Sequence, residues 1–166
     1  MANTYTLISS VTVGSGGASS IDFTSIPSTY TDLLIKISGR STKSATFEGM
    51  YIKFNTSSTA TTRYLEGNGA SASSGTAGNF VGVVAAANAT ASTFSNVETY
   101  IPNYTVSQNK SYSSDSAHET NATTAYADLI AGLWANTAAI NQITLYPDVN
   151  NFAQYSTAYL YGISNA

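Results

Sequence analysis

The chain has 166 residues, enough for one ordinary domain, yet only 9% are Asp, Glu, Lys or Arg, against about 25% in a typical soluble domain. Six basic residues and a net charge of -3 argue against nucleic-acid binding, and no apolar run approaches the roughly 18 residues of a membrane span. The absence of Cys excludes disulfides, thiolate metal sites and Cys nucleophiles, and the N-terminal MANTYTLISS carries no signal-peptide pattern.

Hydroxyls and amides stand where charges would be: 24 Ser, 23 Thr and 14 Asn. Leu, Ile, Val and Phe number 33, so the twelve Tyr and one Trp must help to build a modest, partly polar core.

Along the chain, Tyr5 to Val13 alternates with period two and predicts a strand. A Gly/Ser loop follows over 14–20, then a short piece, Ile21 to Phe23, before Pro27, which cannot donate to a ladder. Asp32 to Ser38 predicts a strand with Leu33, Ile35 and Ile37 on one face. Met50 to Asn55 repeats the pattern; Thr56 to Thr62 reads as a polar tip and Arg63 to Glu66 as a short strand. Gly67 to Gly78 has no large side chain and predicts a mobile surface loop. Phe80 to Val84 is a strand, with Ala85 to Ala91 a loop or strand end.

Phe94 to Ile101 alternates up to Pro102. Lys110 to Thr120 is polar, with Tyr112 its only large residue, and predicts an edge or doubly solvated strand. Ala125 to Trp134 fits strand or helix, because Tyr126, Leu129/Ile130 and Leu133 also keep helical spacing. Ile140 to Tyr146 ends at Pro147, 148–155 is a polar turn region, and Thr157 to Ile163 is the last strand. Strands at intervals of roughly ten to fifteen residues imply an all-β fold: one domain over 1–166, a jelly-roll-like antiparallel β-sandwich of about eight to ten strands.

Catalytic constellations are not legible. His118 is the only His. In a strand, Asp115, Ala117 and Glu119 share one face and Ser114, Ser116 and His118 the other, so the neighbouring carboxylates point away and His118 reads as a surface residue. The nine acids are scattered singly, with no pair for glycoside cleavage. No calcium-loop pattern occurs, and Gly67-Asn68-Gly69 lacks the Lys and helix of a phosphate loop, so neither metal nor cofactor is expected.

Aromatics can stack on sugars or fill a core or subunit interface. Trp134 lies in an apolar stretch and reads as core. Tyr155, Tyr159 and Tyr161, with Tyr5 and Leu7 on the first strand, are candidates for an interface; Tyr104, Tyr112 and His118 are the alternative candidates for glycan contact. Few charges and few edge-guarding Lys or Pro suit a permanently assembled structural protein better than an enzyme.

Three stretches carry a resemblance. They are Asp32-Leu33-Leu34-Ile35-Lys36-Ile37-Ser38-Gly39-Arg40; Met50-Tyr51-Ile52-Lys53-Phe54-Asn55 with Arg63-Tyr64-Leu65-Glu66-Gly67-Asn68-Gly69; and Ile140-x-x-Ile143-Thr144-Leu145 through Asn151-Phe152-Ala153 to Tyr159-Leu160-Tyr161-Gly162-Ile163. Together they resemble small virion proteins of tailed bacteriophages, notably marine and cyanobacterial ones. Gln154-Tyr155-Ser156 stands where those proteins usually have Gly-Ser, so this turn departs from the pattern. The resemblance covers capsid decoration proteins and tail or head fibre modules alike. It implies a β-sandwich, often trimeric, with no catalytic residues to carry over. The expectation is a non-enzymatic virion protein on the particle exterior: a decoration protein bound to the major capsid protein or another virion protein, and to itself as a homotrimer. The alternative is a tail appendage or fibre tip binding a host surface glycan; a glycan hydrolase using the scattered acids is a third reading.

Overall fold

The computed structural model describes residues 4–57, 59–121 and 123–164. These form twelve strands: β1 (Tyr5–Thr12), β2 (Ile21–Phe23), β3 (Asp32–Gly39), β4 (Phe47–Phe54), β5 (Ala60–Gly67), β6 (Ala72–Gly78), β7 (Phe80–Ala85), β8 (Ser95–Ile101), β9 (Lys110–Glu119), β10 (Ala125–Trp134), β11 (Ile143–Pro147) and β12 (Thr157–Ile163). They pair antiparallel in two sheets, ordered β1-β12-β3-β8-β9-β10-β5-β6 and β2-β11-β4-β7. The all-β sandwich expected from the alternation is present, with twelve strands rather than eight to ten.

The period-two pattern of β3 puts Leu33, Ile35 and Ile37 between the sheets, against Met50, Ile52 and Phe54 of β4 and Ile143 and Leu145 of β11. Trp134 and Phe152 complete this core, Trp134 stacking at a tilt on Phe54. Strand β7 is buried along its whole length. Val81 and Val84 enter the main core, while Phe80 and Val83 meet Ile130, Tyr64, Tyr51 and Ala77 in a second cluster.

Two local expectations are corrected and one open reading is decided. Residues 67–78 are not a loop: they end β5, make a tight turn and run back as β6. Gly69 takes a left-handed φ of +83° in that turn, and Asn68 Oδ1 accepts the N–H groups of Ala70 and Ser71. Small residues suit the returning strand because Tyr64 lies over it; a Cβ on Gly75 would sit 2.5 Å from Tyr64 Oη. The ambiguous stretch Ala125–Trp134 is a strand, and its helical spacing is incidental: Ile130 and Trp134 face inward, Leu129 and Leu133 outward.

The second correction concerns β9, which lies inside the eight-stranded sheet between β8 and β10, not at an edge. Its polar alternation answers a need created by β7, the edge strand of the small sheet. Ser114 Oγ donates to the Val81 carbonyl (2.6 Å), and Val83 N–H donates to Ser116 Oγ (3.1 Å). From β8, Ser95 Oγ accepts the Ala85 N–H (2.7 Å). Serines of the large sheet thus supply hydrogen-bond partners to the free edge of β7, which otherwise would be buried unpaired. Gly82 (φ +148°) lets β7 approach this closely, since a Cβ there would meet Ser116.

Candidate docking face

The outer face of the eight-stranded sheet carries uncovered apolar side chains in two patches. The first gathers Tyr5 and Leu7 of β1, Tyr159 and Tyr161 of β12, and Tyr100 of β8, around Leu34, which is itself buried; Tyr161 pairs in register with both Leu7 and Leu34. The second is built on Leu65 and Leu129, directly opposite one another on β5 and β10 and 58% and 60% exposed. Leu133 lies two residues along, and a shallow groove of about 700 Å³ is lined by Arg63, Leu65, Thr76, Ser113, Leu129 and Ala131.

A charged row separates the patches. Lys36 Nζ is 2.6 Å from Glu98 Oε2, a contact that raises the Lys36 pKa. Asp115 is paired in register with Glu98. Burial, and then the like charge of Glu98, push its carboxyl above the usual range. Sequence spacing did not bring these acids together because they lie on neighbouring strands.

Of the expected interface residues, Tyr5, Leu7, Tyr159 and Tyr161 share this face, whereas Tyr155 lies beyond the start of β12. Tyr155 is 68% exposed and holds φ +72°, a left-handed conformation unfavourable for any side chain but natural for Gly. This is the turn at which the chain departs from the Gly-Ser pattern. Leu65, Leu129, Leu133 and Tyr100 were missed. For Leu129 and Leu133 the signal was present in the alternation of Ala125–Trp134, where they oppose Ile130 and Trp134, but the pattern alone does not say which side is covered.

The three alternative glycan contacts are corrected: all are buried. Tyr104 donates its hydroxyl to the Pro27 carbonyl and closes one end of the core. Tyr112 packs edge-on against Phe54 and lies flat against Gly132, where a Cβ would overlap its ring. His118 is not a surface residue either. Its ring stacks on Tyr126 (5.1 Å, 6°) and meets Phe47 at a tilt.

His118 belongs to a buried polar cluster with Asp128 and Ser116. Ser116 Oγ donates to Asp128 Oδ2 (2.5 Å), and His118 Nδ1 lies 3.4 Å from the same oxygen. The residue types are those of a hydrolytic triad, but the order differs. The carboxylate stands between hydroxyl and imidazole, whereas an activated nucleophile needs the base against the hydroxyl. Ser116 is also held by Val83 N–H, so the cluster fastens the two sheets. Among the described residues, no group of three or more His, Cys, Asp or Glu forms a metal site.

Several residues of the resemblance stretches have structural work. Arg40 donates to the carbonyls of Thr90 (2.8 Å), Thr93 (2.7 Å), Ala87 and Ala89 (both 3.2 Å), so one guanidinium pins the loop after β7. Asn55, at φ +55°, accepts from Asn141 and Gln142 N–H and donates to the Ala139 carbonyl, fixing the chain before β11. Gly162 is flush with the Tyr30 ring, which leaves no room for a Cβ. No protein-family model, curated protein or solved structure matches this chain.

Proposed function

We propose that the protein is a structural component of a bacteriophage particle, a decoration protein that seats the outer face of its large sheet on the major capsid protein. One observation carries the reading. Leu65 and Leu129 stand opposite each other, more than half exposed, on a sheet face whose charged side chains include the Lys36–Glu98–Asp115 row and Arg63. Contiguous apolar surface of this kind marks a site that another macromolecule covers. The composition supports the same reading, since it supplies few charges to keep a free monomer apart from its neighbours.

The test is reconstitution on phage particles stripped of this protein, read by co-sedimentation and by electron microscopy. Wild-type protein is expected on the capsid shell, and L65E/L129E is expected to remain in the supernatant with an unchanged Tm. Binding to tails instead of shells, or shell binding that survives both charges, overturns the proposal.

A further inference from the structure

The two sheets have four edge strands, and three of them are guarded. β2 is only three residues long. β7 is capped by Ser114, Ser116 and Ser95. β1 changes register between Leu7 and Ser9, an irregularity that breaks up a flat edge. β6 has none of these devices. It pairs regularly with β5 over its full length, contains neither charge nor Pro, and is mostly exposed.

The pairing pattern shows which backbone groups are free. In an antiparallel ladder, alternate residues turn both N–H and C=O toward a given neighbour. Asn68 N–H bonds the Ser71 carbonyl at the turn, so Ser73, Gly75 and Ala77 face β5 while Ala72, Ser74, Thr76 and Gly78 turn outward. At the far edge of the same sheet, Val13 N–H bonds the Ser156 carbonyl, and alternation counted across from there gives the same phase. Among the described residues, no loop or side chain donates to or accepts from these outward groups of Ala72, Ser74 and Thr76.

We propose that β6 is a self-association strand: two copies pair antiparallel, edge to edge, about a two-fold axis through Gly75, joining their large sheets. The contact uses the backbone edge of the sheet and not its apolar face, although Ser74 and Thr76 border the groove on that face. The occupant is a second copy because the strand is complementary to itself in the register its free groups dictate. Centring on Gly75 lets Ser74 exchange hydrogen bonds with Thr76 of the other copy, and Ala72 with Gly78, while Ser73 faces Ala77. None of these pairs sets charge against charge or bulk against bulk, and the Ser–Thr pair can join its hydroxyls. Tyr64 already lies over Gly75, so the axis brings two such rings together on the inner side. An isologous contact of this kind closes on itself and leaves no growing edge.

Sedimentation equilibrium of the full chain over a wide concentration range tests this, with amide exchange as a second readout. Wild type is expected to dimerise, with the Ser74 and Thr76 amides gaining protection as concentration rises. Ser74→Pro removes only an outward N–H, and Ser74→Lys places a charge beside the axis with the backbone intact. Each should weaken dimerisation by at least about tenfold while Tm stays at the wild-type value. A wild type that remains monomeric at the highest concentration, a trimer, or a dimer that survives Ser74→Lys without protecting Ser74 and Thr76 overturns the proposal. Ser74 pairs with Leu65 and borders the groove of the docking face, so the two readings are separated by Leu129→Glu, which should abolish shell binding and leave dimerisation at the wild-type level.

Discussion

The inner and outer faces of β9 and β10 reverse the usual distribution of polarity. Inward go Ser114, Ser116, His118 and Asp128; outward go Leu129 and Leu133. Asp128 is 3% exposed, and the next residue, Leu129, is 60% exposed. The inward serines complete the free edge of β7, and Asp128 accepts from Ser116 and faces His118 at 3.4 Å. Nothing among the described residues similarly accounts for the outward leucines. The comparison shows that a buried polar residue is explained by a partner in the same molecule, whereas the exposed leucines are what the proposed docking face would account for.

Substitution of adjacent residues in β10 is the most direct way to break this comparison. Asp128→Ala leaves Ser116 Oγ without its carboxylate acceptor and His118 without the carboxylate it faces, and should lower stability by about 3 kcal/mol. Leu129→Ala should change it by less than about 0.5 kcal/mol. Urea unfolding of the two variants measures both, and equal losses would mean that Leu129 supports the fold after all. Ser116→Ala removes the acceptor for Val83 N–H and should cost about 2 kcal/mol, read in the same titration.

A smaller, pH-dependent effect sharpens the inner half. Burial pushes the phenols of Tyr51, Tyr104 and Tyr112 above their ordinary value, and the hydrogen bond to Asp32, followed by burial, does the same for Tyr100. A raised folded-state pKa means that the stabilising contribution is complete below about pH 10 and is lost as pH rises further. Phenolate absorbance should therefore show a late-titrating class of tyrosines that ionises together with loss of near-UV circular dichroism. Tyr112→Phe deletes a buried hydroxyl that has no protein partner, so it should shift this alkaline transition upward and change neutral-pH stability by no more than about 1 kcal/mol.

Much of the fold was legible in the chain because strand alternation is a local property. Thr157–Ile163 has the expected limits, and Asp32–Gly39 extends the expected strand by one residue with Leu33, Ile35 and Ile37 together as foreseen. Even the shared face of Ser114, Ser116 and His118 was correct. Of the site, only its first patch could be anticipated, through Tyr5, Leu7, Tyr159 and Tyr161 at the chain ends.

What the sequence determined by itself was the two-residue period, the class of fold and the shortage of charge, all of which depend on neighbours along the backbone. Only the tertiary structure decided which side of each alternating strand is covered, that β9 is interior, that residues 67–78 return as a strand, and that Tyr104, Tyr112 and His118 are core. Those outcomes depend on partners far away in sequence: a free edge of β7 that needs serines, a Tyr64 ring that needs a glycine beneath it, and sheet neighbours that local alternation cannot name.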